Sequence, residues 1–219
     1  MTQNLTKTLG LQCLCALTLL AGASTAANAG TVSLDMNSGG WVSNYDATSL
    51  DPRNHYGQMP SIETSGAAFE AANPGWRTLG YNDSAWSAYS GGWVPGDGSR
   101  SPMYLRKSFT IGTPTAGSFY LEVDDDSQVW INNVLVPALD DHSNSYNGGH
   151  SADISSFLQA GNNVIAIKAD NTPGGGYYIG FSGSVSFSER QNNVPEPVSL
   201  ALVGLGLVAA GVAKRKQRG

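Results

Sequence analysis

Three consecutive carboxylates, Asp124, Asp125 and Asp126, form the densest charge in the central part of the chain. Carboxylate oxygens are ligands that Ca²⁺ prefers, so a structural calcium ion is one interpretation of this segment. The EF-hand spacing is absent, because the sixth residue counted from Asp124 is Val129 rather than glycine and the twelfth is Leu135 rather than glutamate. A solvated acidic turn is the alternative, since aspartate readily forms local hydrogen bonds in turns.

Aromatic side chains beside glycine-rich loops are a second group of candidate functional residues. Sugar rings have apolar faces that stack on exposed aromatic rings, while amide and carboxylate groups bind the sugar hydroxyls. Trp86 and Trp130 are instead expected to pack in the core. Burial is also the alternative for each ring beside a loop, because it is the commoner use of aromatic residues. The candidate ligand-binding residues are Trp93, Tyr146, Tyr177 and Tyr178.

The remaining polar residues do not form a pattern that indicates catalysis or a transition-metal site. Asp140, Asp141, His142 and His150 mix metal-ligand types, but they fall in a loop whose sequence fixes no geometry, so a binding rim is the better interpretation. Residues 180–184 carry glycine and serine in the wrong order for a hydrolase nucleophile elbow. The sequence therefore predicts no catalytic residues, although paired carboxylates brought together by loops keep a glycosidase as an alternative.

The amino-terminal segment, residues 1–29, has the pattern of a secretory signal peptide. Lys7 precedes an apolar stretch over residues 11–20, and Ala27 and Ala29 supply the two small side chains that signal peptidase accepts before its cleavage site. Both cysteines of the chain lie inside that apolar stretch. Cleavage after Ala29 would therefore leave a mature chain without thiol chemistry or a cysteine-ligated zinc ion.

The carboxyl-terminal segment combines a stiff motif, an apolar run and a basic cluster. Pro195, Glu196 and Pro197 form an extended segment, because proline fixes its own backbone and restricts the residue before it. Residues 198–213 follow without a charge, and four of the six residues in 214–219 are basic. A transmembrane helix over 198–213 is predicted, with the basic cluster on the cytoplasmic side.

This order of motif, apolar helix and basic end resembles the PEP-CTERM sorting signal. The resemblance covers residues 194–219. It implies recognition of the Pro-Glu-Pro motif by an exosortase, a membrane-embedded cysteine protease or transpeptidase. It also implies a Gram-negative producer with an exopolysaccharide system, transient anchoring in the inner membrane, and delivery of the processed protein to the cell surface or extracellular matrix. A plain carboxyl-terminal anchor is the alternative.

The charge distribution places the basic residues at the two ends of an acidic body. The 219 residues have a net charge of −5, but residues 30–193 contain sixteen acidic and seven basic residues. Only 13% of all residues are charged, whereas glycine and proline are frequent, which favours short strands and turns over long solvated helices. An acidic body without a broad basic face argues against a nucleic-acid binder.

Short apolar stretches bounded by turn residues predict strands throughout this body. Residues 119–123 alternate apolar and polar side chains, as in a strand with one buried face. The asparagines at 132–133 separate two apolar stretches and predict a tight hairpin, while residues 153–158 predict one short helical turn. Residues 46–75 are expected to be irregular. The predicted strands are 31–36, 40–45, 102–111, 117–124, 128–136, 163–170 and 177–188.

Eight short motifs follow one another through the body. They are 80–86 (GYNDSAW), 104–109 (YLRKSF), 123–125 (VDD), 129–132 (VWIN), 153–154 (DI), Leu158, 161–167 (GNNVIAI) and 170–171 (DN). This series resembles the galactose-binding-domain-like jelly-roll sandwich found at the front of many β-galactosidase-type glycoside hydrolases, over residues 76–187. The resemblance implies a single, all-β, jelly-roll-like sandwich over residues 30–193, a fold in which a structural calcium ion is frequent. The catalytic domain of those enzymes is not found in this chain, so hydrolase activity is not implied.

Taken together, these features predict a secreted, exosortase-processed surface or matrix protein with a non-catalytic, carbohydrate-binding-like module. The expected partners are signal peptidase, an exosortase, the inner membrane during transit, and an exopolysaccharide or other glycan. Calcium is the one cofactor considered. The alternatives are a polysaccharide-active enzyme and a structural surface protein without a specific ligand.

Overall fold

The computed structural model describes residues 28–45, 62–89, 91, 102–143, 145–170, 178–189 and 204–205. Two antiparallel β-sheets pack face to face in this part of the chain, which confirms the prediction of an all-β sandwich. The strands are β1 (Ala29–Ser33), β2 (Trp41–Tyr45), β3 (Ser87–Ala88), β4 (Met103–Ile111), β5 (Thr113–Asp124), β6 (Asp126–Ile131), β7 (Val134–Leu135), β8 (Gly149–Asp153), β9 (Gly161–Asp170) and β10 (Tyr178–Ser188).

The two sheets differ in size. The four-stranded sheet has the order β1-β10-β5-β8, and the six-stranded sheet has the order β3-β2-β4-β9-β6-β7. Strands β3 and β8 were not among the predicted strands, because β3 has two residues and β8 is a small, polar segment without an apolar alternation. Both are edge strands, and each pairs with a single neighbouring strand.

The alternation predicted for residues 119–123 is present in β5. Phe119, Leu121 and Val123 are at most 4% exposed and join the core between the sheets, whereas Tyr120 lies on the solvent side. They pack in the same cluster as Leu105 of β4 and residues of β9 from the opposite sheet. Full burial of each such side chain contributes about 1.5–3 kcal/mol, so this layer supplies much of the stability of the sandwich.

Two local predictions are confirmed by the backbone. Asn132 and Asn133 have φ angles of 51° and 67°, the positive values that a two-residue hairpin between β6 and β7 requires. Residues Ser155–Phe157 form one turn of 3₁₀ helix, and the carboxylate of Asp153 accepts a hydrogen bond from the Ser155 backbone N–H at 2.9 Å. In both places the side chain of a turn residue determines the local backbone.

The outer face of the six-stranded sheet is covered by residues 62–86, which we call the cover segment. The prediction of an irregular segment over 46–75 is wrong for its described part, because helix α1 (Ala67–Ala72) lies there. Phe69 on α1 stacks on Tyr104 at a centroid distance of 4.0 Å, so tertiary burial stabilises a helix too short to form alone. This second aromatic cluster consists of Phe69, Trp76, Trp86, Tyr104 and Trp130. The expected burial of Trp86 and Trp130 is thus confirmed.

Two buried cations attach the cover segment to the sheet. The Arg106 guanidinium on β4 donates to the backbone carbonyls of Trp76 and Thr78 and pairs with the Asp83 carboxylate at 2.9 Å. Lys168 on β9 is also only 1% exposed. Their strands are central in the six-stranded sheet, so both side chains project from its middle into the cover segment.

The first and last described strands meet at one corner of the sandwich. Strand β1 pairs with the end of β10, and the Glu189 N–H donates to the Asn28 carbonyl at 2.8 Å. Ala29, the predicted cleavage position, is the first residue of β1, whereas Ala27, Pro195, Glu196 and Pro197 lie outside the described residues. Of the predicted helix 198–213, only residues 204–205 are described, and they are helical. Within the described residues, no helix reaches the length and apolarity of a membrane span.

Candidate functional site

The outer face of the four-stranded sheet carries a carboxylate between two glycines. Glu122 in the middle strand β5 lies opposite Gly149 of β8 on one side and opposite Gly180 of β10 on the other. Tyr120 and Tyr178 stand on the same face, at alternate positions of their strands from Glu122 and Gly180. Because glycine has no side chain, the sheet surface on both sides of Glu122 is bare backbone at these two positions.

Tyrosine rings fill the surface that the glycines leave open. A methyl group added at Gly149 would overlap the phenol ring of Tyr120, and one added at Gly180 would overlap the outer end of Tyr178. The two rings thus lie across glycine backbone instead of standing away from the sheet. Tyr120 is 36% exposed and Tyr178 is 43% exposed, so each ring retains solvent-accessible surface.

Glu122 also binds a tyrosine from the loop before β8. Tyr146, 55% exposed, donates its hydroxyl hydrogen bond to Glu122 Oε1, while Tyr120 donates to Oε2 at 2.8 Å. The hydrogen bonds to the Glu122 carboxylate raise the pKa of the Tyr120 and Tyr146 phenols. Repulsion from the charged form of Tyr178 raises both pKa values further. We call Tyr120, Tyr146 and Tyr178, grouped around Glu122, the tyrosine platform.

The platform contains two of the four aromatic residues predicted to bind a ligand. Tyr146 and Tyr178 lie together there, whereas Trp93 and Tyr177 fall outside the described residues. Sequence reasoning missed Tyr120, because in an alternating strand it is indistinguishable from any other outward residue. The pairing of β5 with β8 and β10 brings the three rings together, and no short-range pattern specifies that pairing.

Contacts between two histidines and neighbouring carboxylates hold the loop that delivers Tyr146. His142 lies between Asp140 and Glu63, with nitrogen–oxygen distances of 2.7 and 2.8 Å. His150, on β8 just after the loop, contacts the Asp141 carboxylate at 3.1 Å. The residues predicted to form a binding rim thus hold this loop near the sheet and the cover segment.

Two of the three aspartates at the turn from β5 to β6 are buried, and Asp124 is partly exposed. Asp125 and Asp126 are 5% and 3% exposed, and the Asp125 N–H donates to the Asp170 carbonyl at 3.0 Å. Within the residues that the structure describes, no group of three or more histidine, cysteine, aspartate or glutamate side chains is arranged to hold a metal ion. The calcium site at Asp124, Asp125 and Asp126 stays a prediction.

Replacing Asp124 by asparagine is expected to raise the melting temperature near neutral pH. Burial, and secondarily a hydrogen bond and charge repulsion from Asp125, raise the pKa of Asp124 from 3.8 to about 6. The folded state therefore holds this proton more tightly than the unfolded state. Its stabilising contribution is complete below about pH 4 and is lost as the pH rises through about 6.

Scanning calorimetry from about pH 4 to about pH 7.5 measures this effect. The Asp124→Asn variant is expected to gain most over the wild-type protein at the upper end and to match it at the lower end. A difference that does not change with pH would contradict the assignment. Asp153→Asn is the control, because hydrogen bonds from Ser155 lower the pKa of Asp153, so the difference between this variant and the wild-type protein should stay nearly constant over this pH range.

Comparison with solved structures finds partial matches to glycoside hydrolases. A glycosyl hydrolase family 2 member from Bacteroides cellulosilyticus is 15% identical, with a TM-score of 0.42, over 71% of this chain and 20% of that chain. A β-glycosidase from Bacteroides vulgatus is 22% identical, with a TM-score of 0.41, over 70% and 20%. A β-glucuronidase from Ruminococcus gnavus is 14% identical, with a TM-score of 0.43, over 73% and 28%.

This chain therefore spans between a fifth and a third of the length of these solved proteins. No protein-family model and no curated protein matches the sequence. At this coverage and identity, the activities of the larger proteins are not transferred to this chain.

Proposed function

We propose that this protein is a secreted, non-catalytic glycan-binding sandwich of the cell surface or extracellular matrix. The observation that carries the proposal is the tyrosine platform, in which three exposed phenol rings surround one carboxylate on an open sheet face. Sequence features at the two ends supply the proposed route, through signal peptidase, the inner membrane and an exosortase.

The platform has the two components that saccharide recognition needs. Exposed aromatic faces stack on the apolar faces of sugar rings, and Glu122 with the phenol oxygens can accept hydrogen bonds from sugar hydroxyls. Ser151 and Ser182 flank Tyr120 in the neighbouring strands and extend the row of hydroxyl groups. An open face buries less of a ligand than a cleft does, so binding at a single platform is expected to be weak and to gain from multivalency.

Replacing Tyr178 by alanine is expected to weaken glycan binding about fivefold to tenfold. Such a loss corresponds to roughly 1 kcal/mol, the scale of one aromatic stacking contact. Tyr178→Phe retains the ring and should keep most of the affinity. Retention of the full chain on immobilised exopolysaccharide, together with its melting temperature, measures both effects.

Leu79→Ala is a matched control, because Leu79 is 40% exposed and lies in the cover segment on the other side of the sandwich. It should leave retention unchanged. Unchanged retention of Tyr178→Ala would contradict the proposal, as would hydrolysis of the glycan by the purified wild-type protein. A large fall in the melting temperature of Tyr178→Ala would show instead that the ring is a structural element.

Processing at both ends is expected to produce a shortened mature chain. Mass spectrometry of the extracellular protein should find an amino terminus near Gly30 and a carboxyl terminus at about residues 195–197, because the signal peptide and the Pro-Glu-Pro motif mark those positions. Replacing the motif by alanines should leave the body attached to the inner membrane. Recovery of an intact Arg218-Gly219 end from the extracellular fraction would contradict the proposed route.

A further inference from the structure

The tyrosine platform lies on a sheet face whose described residues are acidic. Glu122 stands at its centre, Asp124 follows two residues later on the same strand face, and Asp153 lies opposite Ser118 further along β8. Among the residues that the structure describes, this face carries neither lysine nor arginine. The charges that the structure describes on this face therefore give a negative electrostatic potential.

The described cations are all engaged elsewhere. Arg106 and Lys168 are buried beneath the cover segment, and Arg77 lies over Trp130 at 4.6 Å on the same side of the molecule. Lys107 binds the carbonyls of Ser33 and Gly39 at 3.0 and 2.8 Å. None of these four side chains is placed to neutralise Glu122.

The two hydrogen bonds that Glu122 accepts do not neutralise the carboxylate. Both donors, Tyr120 and Tyr146, are neutral hydroxyl groups, so they orient the carboxylate without cancelling its charge. Each phenol oxygen that donates to Glu122 still has lone pairs that can accept a hydrogen bond. The ring faces beside the carboxylate attract cations through their quadrupole.

We propose that the tyrosine platform binds sugars that carry a free, protonated amino group in preference to acetylated amino sugars and uronic acids. The inference rests on the proposed glycan binding and specifies its ligand. An ammonium group can interact favourably with the Glu122 carboxylate, the phenol oxygens and the aromatic faces at the same time. An acetamido group loses the charge, and a uronate is repelled by Glu122.

Titration calorimetry of the full chain with three oligosaccharides of equal length tests this preference. The probes are a glucosamine oligomer, an N-acetylglucosamine oligomer and a galacturonate oligomer. At low ionic strength the glucosamine oligomer is expected to bind at least tenfold more tightly than the acetylated one, and the galacturonate oligomer least tightly. The ratio should shrink with added salt, because a partly exposed charge pair is screened.

Two variants locate the preference at the carboxylate. Glu122→Gln should bring the ratio between the glucosamine and acetylated oligomers close to one, while stacking retains some affinity for both. Asp153→Asn removes a charge from the same face at a distance from the rings, and it should leave most of the ratio intact. The salt dependence of the wild-type protein remains a test even if Glu122→Gln does not fold.

Failure of this inference is distinct from failure of the proposed function. Equal affinity of the wild-type protein for the glucosamine and acetylated oligomers, or a preference that salt does not reduce, would overturn the amino-sugar assignment and leave glycan binding in place. Absence of binding to all three oligomers and to exopolysaccharide would overturn both.

Discussion

Replacing Lys168 by methionine is expected to reduce the free energy of unfolding by about 3–5 kcal/mol, because two buried backbone carbonyls lose their donor and a carboxylate loses its partner. The Lys168 ammonium donates to the carbonyls of Ile62 and Ser65 at 2.6 and 2.7 Å and to the Glu70 carboxylate at 2.7 Å. Methionine retains the apolar length of the side chain but leaves three acceptors without this donor. The loss of stability therefore measures the contribution of the charge and its hydrogen bonds, and not that of side-chain packing.

Chemical denaturation of the full chain measures this change, and Glu70→Gln is its matched control. An amide oxygen can still accept from Lys168, and the Glu70 side chain is 24% exposed, so the control should lose much less stability. If the two variants are destabilised equally, the ion pair rather than the backbone carbonyls holds the cover segment. A Lys168→Met variant as stable as the wild-type protein would contradict the assigned role.

Replacing Arg106 by alanine is expected to have an effect of similar size, about 3–5 kcal/mol, because it leaves backbone carbonyls beneath the cover segment without their donor and removes a large buried side chain. Its guanidinium uses its planar fork to reach the carbonyls of Trp76 and Thr78 and the Asp83 carboxylate at once. It also lies over the Tyr81 ring at 5.0 Å. A lysine has a single charged nitrogen and cannot reproduce this fork, so Arg106→Lys should recover only part of the loss.

Hydrogen exchange distinguishes local opening from global unfolding in the Arg106→Ala variant. The amides of α1 and of residues 76–86 are expected to exchange faster, while those of β5 and β10 keep more of their protection, because the cover segment packs on only one sheet. Uniform acceleration across both sheets would show that the cover segment does not open as a separate unit. Arg77→Ala is the control, since Arg77 is 33% exposed and its ion pair with Glu70 is 3.5 Å long.

Much of the sandwich could be predicted because its determinants are local. The alternation in residues 119–123 specifies which side of β5 is buried, and the asparagines at 132–133 specify a hairpin through their tolerance of positive φ. Helix α1 could not be predicted, because six residues do not form a helix alone and the burial of Phe69 on Tyr104 is a long-range contact.

The candidate site was predictable only in part. Tyr146 and Tyr178 stand out beside glycine-rich segments, but Glu122 and Tyr120 have no signature of their own in β5. Their role depends on strands separated by many residues, since Glu122 meets Gly149 and Gly180 only after the sheet has formed. The buried positions of Arg106 and Lys168 are hidden for the same reason, because a cation within a strand is ordinarily expected to face water.

The corner at which Asn28 and Glu189 meet determines how an anchored precursor would present the protein. Tyr178 lies ten residues before Ser188 along β10, and about 3.4 Å per residue separates these positions by roughly 34 Å. The platform is therefore remote from the corner at which the two ends of the sandwich meet. Glycan capture could precede release, and removal of either terminal segment would leave the captured polymer in place.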